Sequence, residues 1–99
     1  IFDLRGNSGG FLDQAIAIAN DSPFGLGGSV FTADAKHGAE VAKRISTGMV
    51  FVNHPTMAKA DLPFGGVRRS GYGRELLGLG LKEFVNHKLI DVVDIDAPF

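Results

Sequence analysis

The sequence contains no cysteine and carries almost balanced charge, and both features limit its possible functions. Without cysteine there is no disulfide, no thiolate nucleophile and no cysteine-ligated zinc. The absence of cysteine agrees with a reducing cytosol, so we expect a cytoplasmic protein. Ten Lys and Arg residues against eleven Asp and Glu residues give a net charge of −1, so no nucleic-acid partner is expected.

The sequence also lacks long apolar runs. None of its apolar stretches approaches the roughly 20 residues of a membrane span, and no signal-peptide pattern opens it, so we expect no membrane partner. Its 99 residues make one domain or part of one. Because the chain opens at Ile1 with the pattern of a strand interior, we expect a single incomplete domain over residues 1–99 of a longer protein.

Hydrophobic periodicity predicts strands that alternate with helices. Strands are predicted over residues 1–5, 29–32, 49–52 and 89–95, and helices over residues 11–20, 35–48 and 74–86. Asp34 is the expected N-cap of the second helix, and Gly48 its expected end. This alternation predicts an α/β fold in which three helices pack on a small, mainly parallel sheet.

Residues 62–75, LPFGGVRRSGYGRE, fit neither a helical nor a strand period. They contain four glycines, at positions 65, 66, 71 and 73. Glycine permits a positive φ or a close approach of two backbones, which suits an unusual chain path. Long irregular loops are more often functional than idle, so we expect the functional site here. His54, which follows the predicted strand 49–52, is a further candidate, because ligands of α/β proteins bind at strand carboxyl ends.

Other motifs predict no catalytic, cofactor-binding or metal-binding residue. The three histidines lack metal-ligand spacing. The glycines of residues 25–28 read G-x-G-G and precede a strand, so a turn is expected rather than a phosphate-binding loop. Ser29 and Ser70 both lie outside a G-x-S-x-G motif. The motifs of this sequence therefore do not add up to a complete active site.

Several separated segments together resemble the C-terminal part of the aldehyde dehydrogenase superfamily. In chain order they read AIAIANDSPFGLGGSVFT, MVFVN, LPFGGVRRSGYGRE and NHK, and the resemblance covers about residues 15–95. The stretch HPTMAKADLPFGGVRRSGYGREL is similar to the succinate-semialdehyde branch. The resemblance implies a fragment of the catalytic domain of an NAD- or NADP-dependent enzyme that oxidises an aldehyde, with succinate semialdehyde expected, to its acid.

The resemblance also implies what this chain lacks. Family members use a cysteine nucleophile, a glutamate base and an N-terminal Rossmann-like domain for the nucleotide. None of these parts occurs here, so the chain alone is expected to be inactive and to bind no cofactor. Its implied partners are the rest of the dehydrogenase chain and further copies, because the final strand, from Leu89 to Ile95, matches the segment that pairs across subunits in family oligomers.

Four substrate-binding residues are implied in the same way. Phe64 matches the aromatic that lines the substrate tunnel of the family, and Asn53 matches the asparagine that ends the buried strand. His54 falls where the family varies its tunnel wall. Arg68 stands where many members have lysine, and we expect Arg68 or Arg69 to hold the carboxylate of a semialdehyde acid.

The first twenty residues resemble a different family. DLRGNSGG is similar to the DLRxNxGG motif of carboxy-terminal processing serine proteases. Residues 1–20 are therefore a candidate for a segment fused to the dehydrogenase part, and the fusion could be natural, engineered or an artefact. The serine and lysine motifs of those proteases are absent, so no protease activity is expected. Two alternatives to the dehydrogenase remain. One is a non-enzymatic assembly module that pairs through its last strand, and the weaker one is a protease fragment.

Overall fold

A computed structural model describes residues 9–98, in which short helices and strands alternate. The elements are α1 (Gly9–Asn20), β1 (Phe24–Gly25), β2 (Gly27–Val30), α2 (Ala35–Ala42), β3 (Met49–Val52), β4 (Val67–Arg68) and α3 (Leu77–Lys82). The three helices follow the predicted order, and β3 has its predicted bounds. The strand predicted over residues 1–5 lies outside the described residues.

The centre of the fold is a parallel β2–α2–β3 unit. β2 and β3 pair in register from Gly27 opposite Met49 to Val30 opposite Val52. Gly38 lets α2 lie close to this pair, since a Cβ added there would come within 2.7 Å of the Val52 side chain. The parallel pairing expected from the alternating pattern is confirmed for these two strands.

Helix α2 begins as predicted and ends earlier than predicted. The Asp34 carboxylate accepts hydrogen bonds from the backbone N–H groups of Lys36 and His37, at 3.0 and 3.1 Å, as an N-cap does. The helix ends at Ala42 rather than at Gly48. The Asn20 side chain explains this end, because it binds the carbonyl oxygen of Arg44 and the N–H of Ser46. These backbone groups face α1 instead of extending α2.

A second, antiparallel pair joins β1 to β4, with Phe24 opposite Arg68 and Gly25 opposite Val67. The described residues thus form two two-stranded sheets in place of the one predicted sheet. A strand of two residues has no periodicity, so the sequence could not reveal this pair.

The C-terminal part differs most from prediction. Helix α3 covers only six residues, and none of residues 83–98 lies in a helix or strand. The strand predicted from Leu89 to Ile95 is therefore wrong for this structure, in which the side chain of Ile95 is 98% exposed. A strand needs a neighbour for its backbone N–H and C=O groups, and within residues 9–98 no segment pairs with this one.

The core is small for the number of apolar residues. Ile16 and Val41 are the buried hydrophobic side chains of the described residues, whereas Leu81, Phe84 and Leu89 are mostly exposed. The radius of gyration is 19.3 Å, against about 13 Å for a compact domain of this length. Large apolar surfaces are thus left uncovered. Within residues 9–98, no helix combines the length and apolar content that a membrane span requires.

Candidate functional site

The segment of residues 62–75, here called the glycine loop, is closed by its own backbone. The N–H of Phe64 donates to the carbonyl oxygen of Glu75 at 3.0 Å, and the N–H of Glu75 donates back at 2.7 Å. This pair joins the two sides of the loop, as in compact functional loops whose ends lie together. Phe64 is half-buried. Its backbone position is therefore fixed by the loop that carries it.

Arg74 fills the inside of this loop. Its Nη1 donates to the carbonyl oxygens of Gly66, Tyr72 and Gly73, at 2.6, 3.0 and 3.0 Å. A side chain at Gly65 would overlap the carbonyl oxygen of Gly73 and the Arg74 side chain. Sequence reasoning missed Arg74, although the loop's many carbonyl groups require a donor and could have pointed to it.

Gly48 brings the start of β3 against the glycine loop. A Cβ added at Gly48 would overlap the carbonyl oxygen of Gly65 and lie 2.6 Å from the Cα of Gly66. The N–H of Gly48 also donates to the carbonyl oxygen of Gly25 at 3.0 Å. The two backbones are thus in direct contact, which requires glycine at position 48.

Asn53 ends β3 in a left-handed conformation, with φ of 58°. Its N–H donates to the carbonyl oxygen of Val30, and its Oδ1 accepts from the N–H of Thr32, both at 2.7 Å. Asparagine is one of the few residues other than glycine that tolerate this backbone conformation. In this structure its side chain fastens the ends of β2 and β3 together.

His54 follows and is half-buried. Its ring lies 5.6 Å from that of Phe51, between centroids. Nδ1 lies 2.6 Å from the carbonyl oxygen of Pro55 and must donate in that contact, because a carbonyl only accepts. In the neutral ring this leaves Nε2 as an acceptor.

The two neighbouring arginines are directed at other parts of the chain. Nη1 of Arg68 donates to the carbonyl oxygens of Asn20 and Ser22, at 2.7 and 2.6 Å. The guanidinium of Arg69 lies 5.6 Å from the ring centroid of Phe24, a cation–π distance. Their predicted contact with a substrate carboxylate stays a prediction.

An open cleft of about 650 Å³ lies between the glycine loop and α3. Phe64, Leu77, Leu81 and Phe84 supply apolar walls, and Arg74 and Glu83 supply charge. Asn53, His54 and Arg68 do not line it. Of the four predicted substrate-binding residues, the structure therefore places Phe64 alone in this cleft.

The sequence matches the family model described as "Aldehyde dehydrogenase family" over residues 11–90. Residues 11–20 of the N-terminal stretch therefore fall inside the match. Among curated relatives, the succinate-semialdehyde dehydrogenase [NADP(+)] of Deinococcus radiodurans is 58% identical over 78 residues, which are 79% of this chain and 16% of that protein. The probable enzyme of the same name from Synechocystis is 47% identical, over 80% of this chain and 17% of that protein.

Solved structures of aldehyde dehydrogenases also align with this chain. The succinic semialdehyde dehydrogenase of Streptococcus pyogenes, in complex with NADP+, aligns with a TM-score of 0.77 at 47% identity, covering 84% of this chain and 18% of that one. An aldehyde dehydrogenase of Mycobacterium tuberculosis with NAD+ aligns at 0.68 and 43% identity, covering 73% of this chain and 15% of that one. This chain thus spans less than one fifth of each relative.

Proposed function

Because this chain belongs to the aldehyde dehydrogenase family, we propose that it is the C-terminal part of the catalytic domain of an enzyme that oxidises succinate semialdehyde to succinate. The 58% identity to a succinate-semialdehyde dehydrogenase is the observation that carries the substrate assignment. The predicted family and the predicted α/β fragment are both confirmed.

In this proposal the segment supplies part of the substrate site, and other polypeptide supplies the reaction centre. The sequence has no cysteine, so the nucleophile that the family uses must come from elsewhere. Phe64 is proposed to contact the carbon chain of the aldehyde, because its backbone is fixed and its ring lines the cleft. Asn53 and His54 do not line this cleft, and they are proposed to contribute to the substrate site from the end of β3.

Two features of the described residues argue against a phosphate-binding loop in this segment. Gly25 ends β1, and Gly27 and Gly28 lie within β2, so none of these glycines opens a helix. The N-terminus of α2, which could attract a phosphate, is already occupied by the Asp34 carboxylate. The nucleotide is therefore assigned to other parts of the full-length protein, and NADP+ is the proposed cofactor because the similar succinate-semialdehyde dehydrogenases carry it in their names.

The first test is an assay of the full-length protein that contains this segment. With succinate semialdehyde and NADP+, we expect formation of NADPH and succinate with kcat/KM of about 10⁴ M⁻¹s⁻¹ or more. NADP+ should be preferred to NAD+ by about tenfold or more, a difference of about 1.4 kcal/mol. The 99-residue chain alone should form no NADPH. A full-length protein that leaves this aldehyde unchanged would refute the substrate assignment.

The uncovered C-terminal segment supports a second proposal, that residues 89–95 pair with another copy of the protein. Leu89 and Ile95 are 89% and 98% exposed, and the described segment has no strand partner of its own. An added strand would satisfy its backbone and cover these side chains. Deleting residues 89–95 from the full-length protein should lower the molar mass measured by light scattering, whereas replacing only Asp96 with asparagine should not. An unchanged mass after the deletion would contradict this pairing.

A further inference from the structure

Arg68 lies where the glycine loop meets the end of α1. Its Nη1 donates to the carbonyl oxygens of Asn20, the last residue of α1, and of Ser22, at 2.7 and 2.6 Å. The last carbonyl groups of a helix lack intrahelical partners and carry partial negative charge, so a cation stabilises this end. Arg68 thereby joins two parts of the chain that are far apart in sequence.

Backbone bonds surround this contact. β4 pairs with β1, the N–H of Arg69 donates to the carbonyl oxygen of Pro23 at 3.0 Å, and the N–H of Gly25 donates to Oγ of Ser70 at 3.0 Å. The packing leaves little room, since a Cβ at Gly66 would lie 3.1 Å from the carbonyl oxygen of Gly25. The middle of the glycine loop is thus held against residues 20–25.

The backbone of Arg68 is itself unusual. Its φ is 57°, a left-handed conformation that is unfavourable for a residue with a long side chain. Such a conformation persists where the surrounding structure holds it. The two hydrogen bonds of the guanidinium offset this strain directly, so loss of the side chain should let the backbone at position 68 relax and the loop move.

We propose that Arg68 is a positioning residue, which fixes the placement of Phe64 by tying the glycine loop to the end of α1 and so sets the rate of aldehyde turnover without touching the substrate. The inference rests on the proposed function. Two contacts connect Arg68 to Phe64. Arg68 holds residues 67–70 against the end of α1. The neighbouring Gly66 accepts a hydrogen bond from Arg74, which lies inside the loop that carries Phe64. This role differs from the predicted carboxylate contact, because it depends on the two bonds of Nη1 to backbone carbonyl groups and not on a bond to the substrate.

The test compares Arg68→Gln and Arg68→Lys in the full-length protein, assayed with succinate semialdehyde and with butanal, an uncharged aldehyde of equal length. A misplacement of about 1 Å in the site can lower kcat/KM by about 100-fold. The β1–β4 hydrogen bonds remain in Arg68→Gln and limit the displacement, so we expect a smaller fall, of about tenfold for both aldehydes. Arg68→Lys should recover most of this loss, because an ammonium can still donate to the two carbonyl groups. Lys43→Gln, which removes only an exposed surface pair with Glu40, is the control and should change neither rate.

Amide hydrogen exchange provides a measurement that is independent of activity. Arg68→Gln should speed exchange in residues 64–75 by about tenfold and leave residues 49–52 unchanged. A loss confined to succinate semialdehyde would overturn the proposal and make Arg68 a carboxylate ligand. Faster exchange with both rates intact would also overturn it, since the role would then be structural only. If the unmodified protein oxidises neither aldehyde, the proposed function fails, and the proposed effect of Arg68 on turnover fails with it. Unchanged hydrogen exchange in Arg68→Gln would separately exclude the proposal that Arg68 ties the glycine loop to α1.

Discussion

Replacing Gly48 with alanine should lower kcat/KM of the full-length protein for its aldehyde by at least about 100-fold, the loss that a shift of about 1 Å in the site can cause. The new Cβ would overlap the carbonyl oxygen of Gly65 and come within 2.6 Å of the Cα of Gly66. Both obstacles are backbone atoms, which cannot rotate away as a side chain can. Position 48 cannot retreat either, because its N–H is bonded to the carbonyl oxygen of Gly25. The glycine loop must therefore move, and Phe64 with it.

Gly78→Ala is the matched control. A Cβ added at Gly78 meets no atom within 4 Å, and the residue lies inside α3. Alanine favours a helix by about 1 kcal/mol over glycine, so the thermal midpoint should stay the same or rise slightly. Steady-state kinetics and thermal denaturation of both variants make the comparison. Equal effects at positions 48 and 78 would show that the contact between β3 and the glycine loop has no special importance.

Phe64→Ala has the second large expected effect, a fall in kcat/KM for succinate semialdehyde of about 100-fold, which corresponds to about 2.7 kcal/mol of transition-state stabilisation. The hydrogen bonds that close the loop use the backbone of Phe64 and survive the substitution. The loss should therefore come from the missing ring and not from a collapsed loop.

Graded and control variants separate the ring from the loop. Phe64→Leu keeps an apolar side chain of intermediate size and should retain more activity than Phe64→Ala. Tyr72→Phe, in the same loop, removes only a hydroxyl from a side chain that is 74% exposed and should change little. If Phe64→Ala retained full kcat/KM, its ring would not contact the substrate.

The parts of the fold that sequence could predict are those with local signals. Asp34 caps α2 because a short acceptor precedes a helix, and Met49–Val52 forms a strand because it is a continuous apolar run. The β1–β4 pair was missed because its strands are too short for a period. The strand expected after Leu89 is absent because a strand requires a neighbour, which a pattern within one segment cannot provide.

For residues 62–75, the sequence predicted the unusual backbone but not the contacts of its side chains. The four glycines of residues 62–75 correctly marked an unusual backbone, and Phe64 lines the cleft beside it. The direction of an arginine side chain depends on tertiary contacts, so the sequence could not show that Arg68 points to the end of α1. Arg74 was overlooked although its contacts are local, since it binds three carbonyl groups of its own loop.

If the glycine loop presents Phe64 to the aldehyde, a crystal structure of the full-length protein with bound succinate should show the ring against the ligand. We predict that ring atoms of Phe64 lie within about 4.5 Å of the carbon atoms of succinate, the distance of an apolar contact. We also predict that the Phe64–Glu75 bridge stays closed. Succinate bound at a reaction centre that residues 53–75 do not touch would show that the glycine loop has no such role.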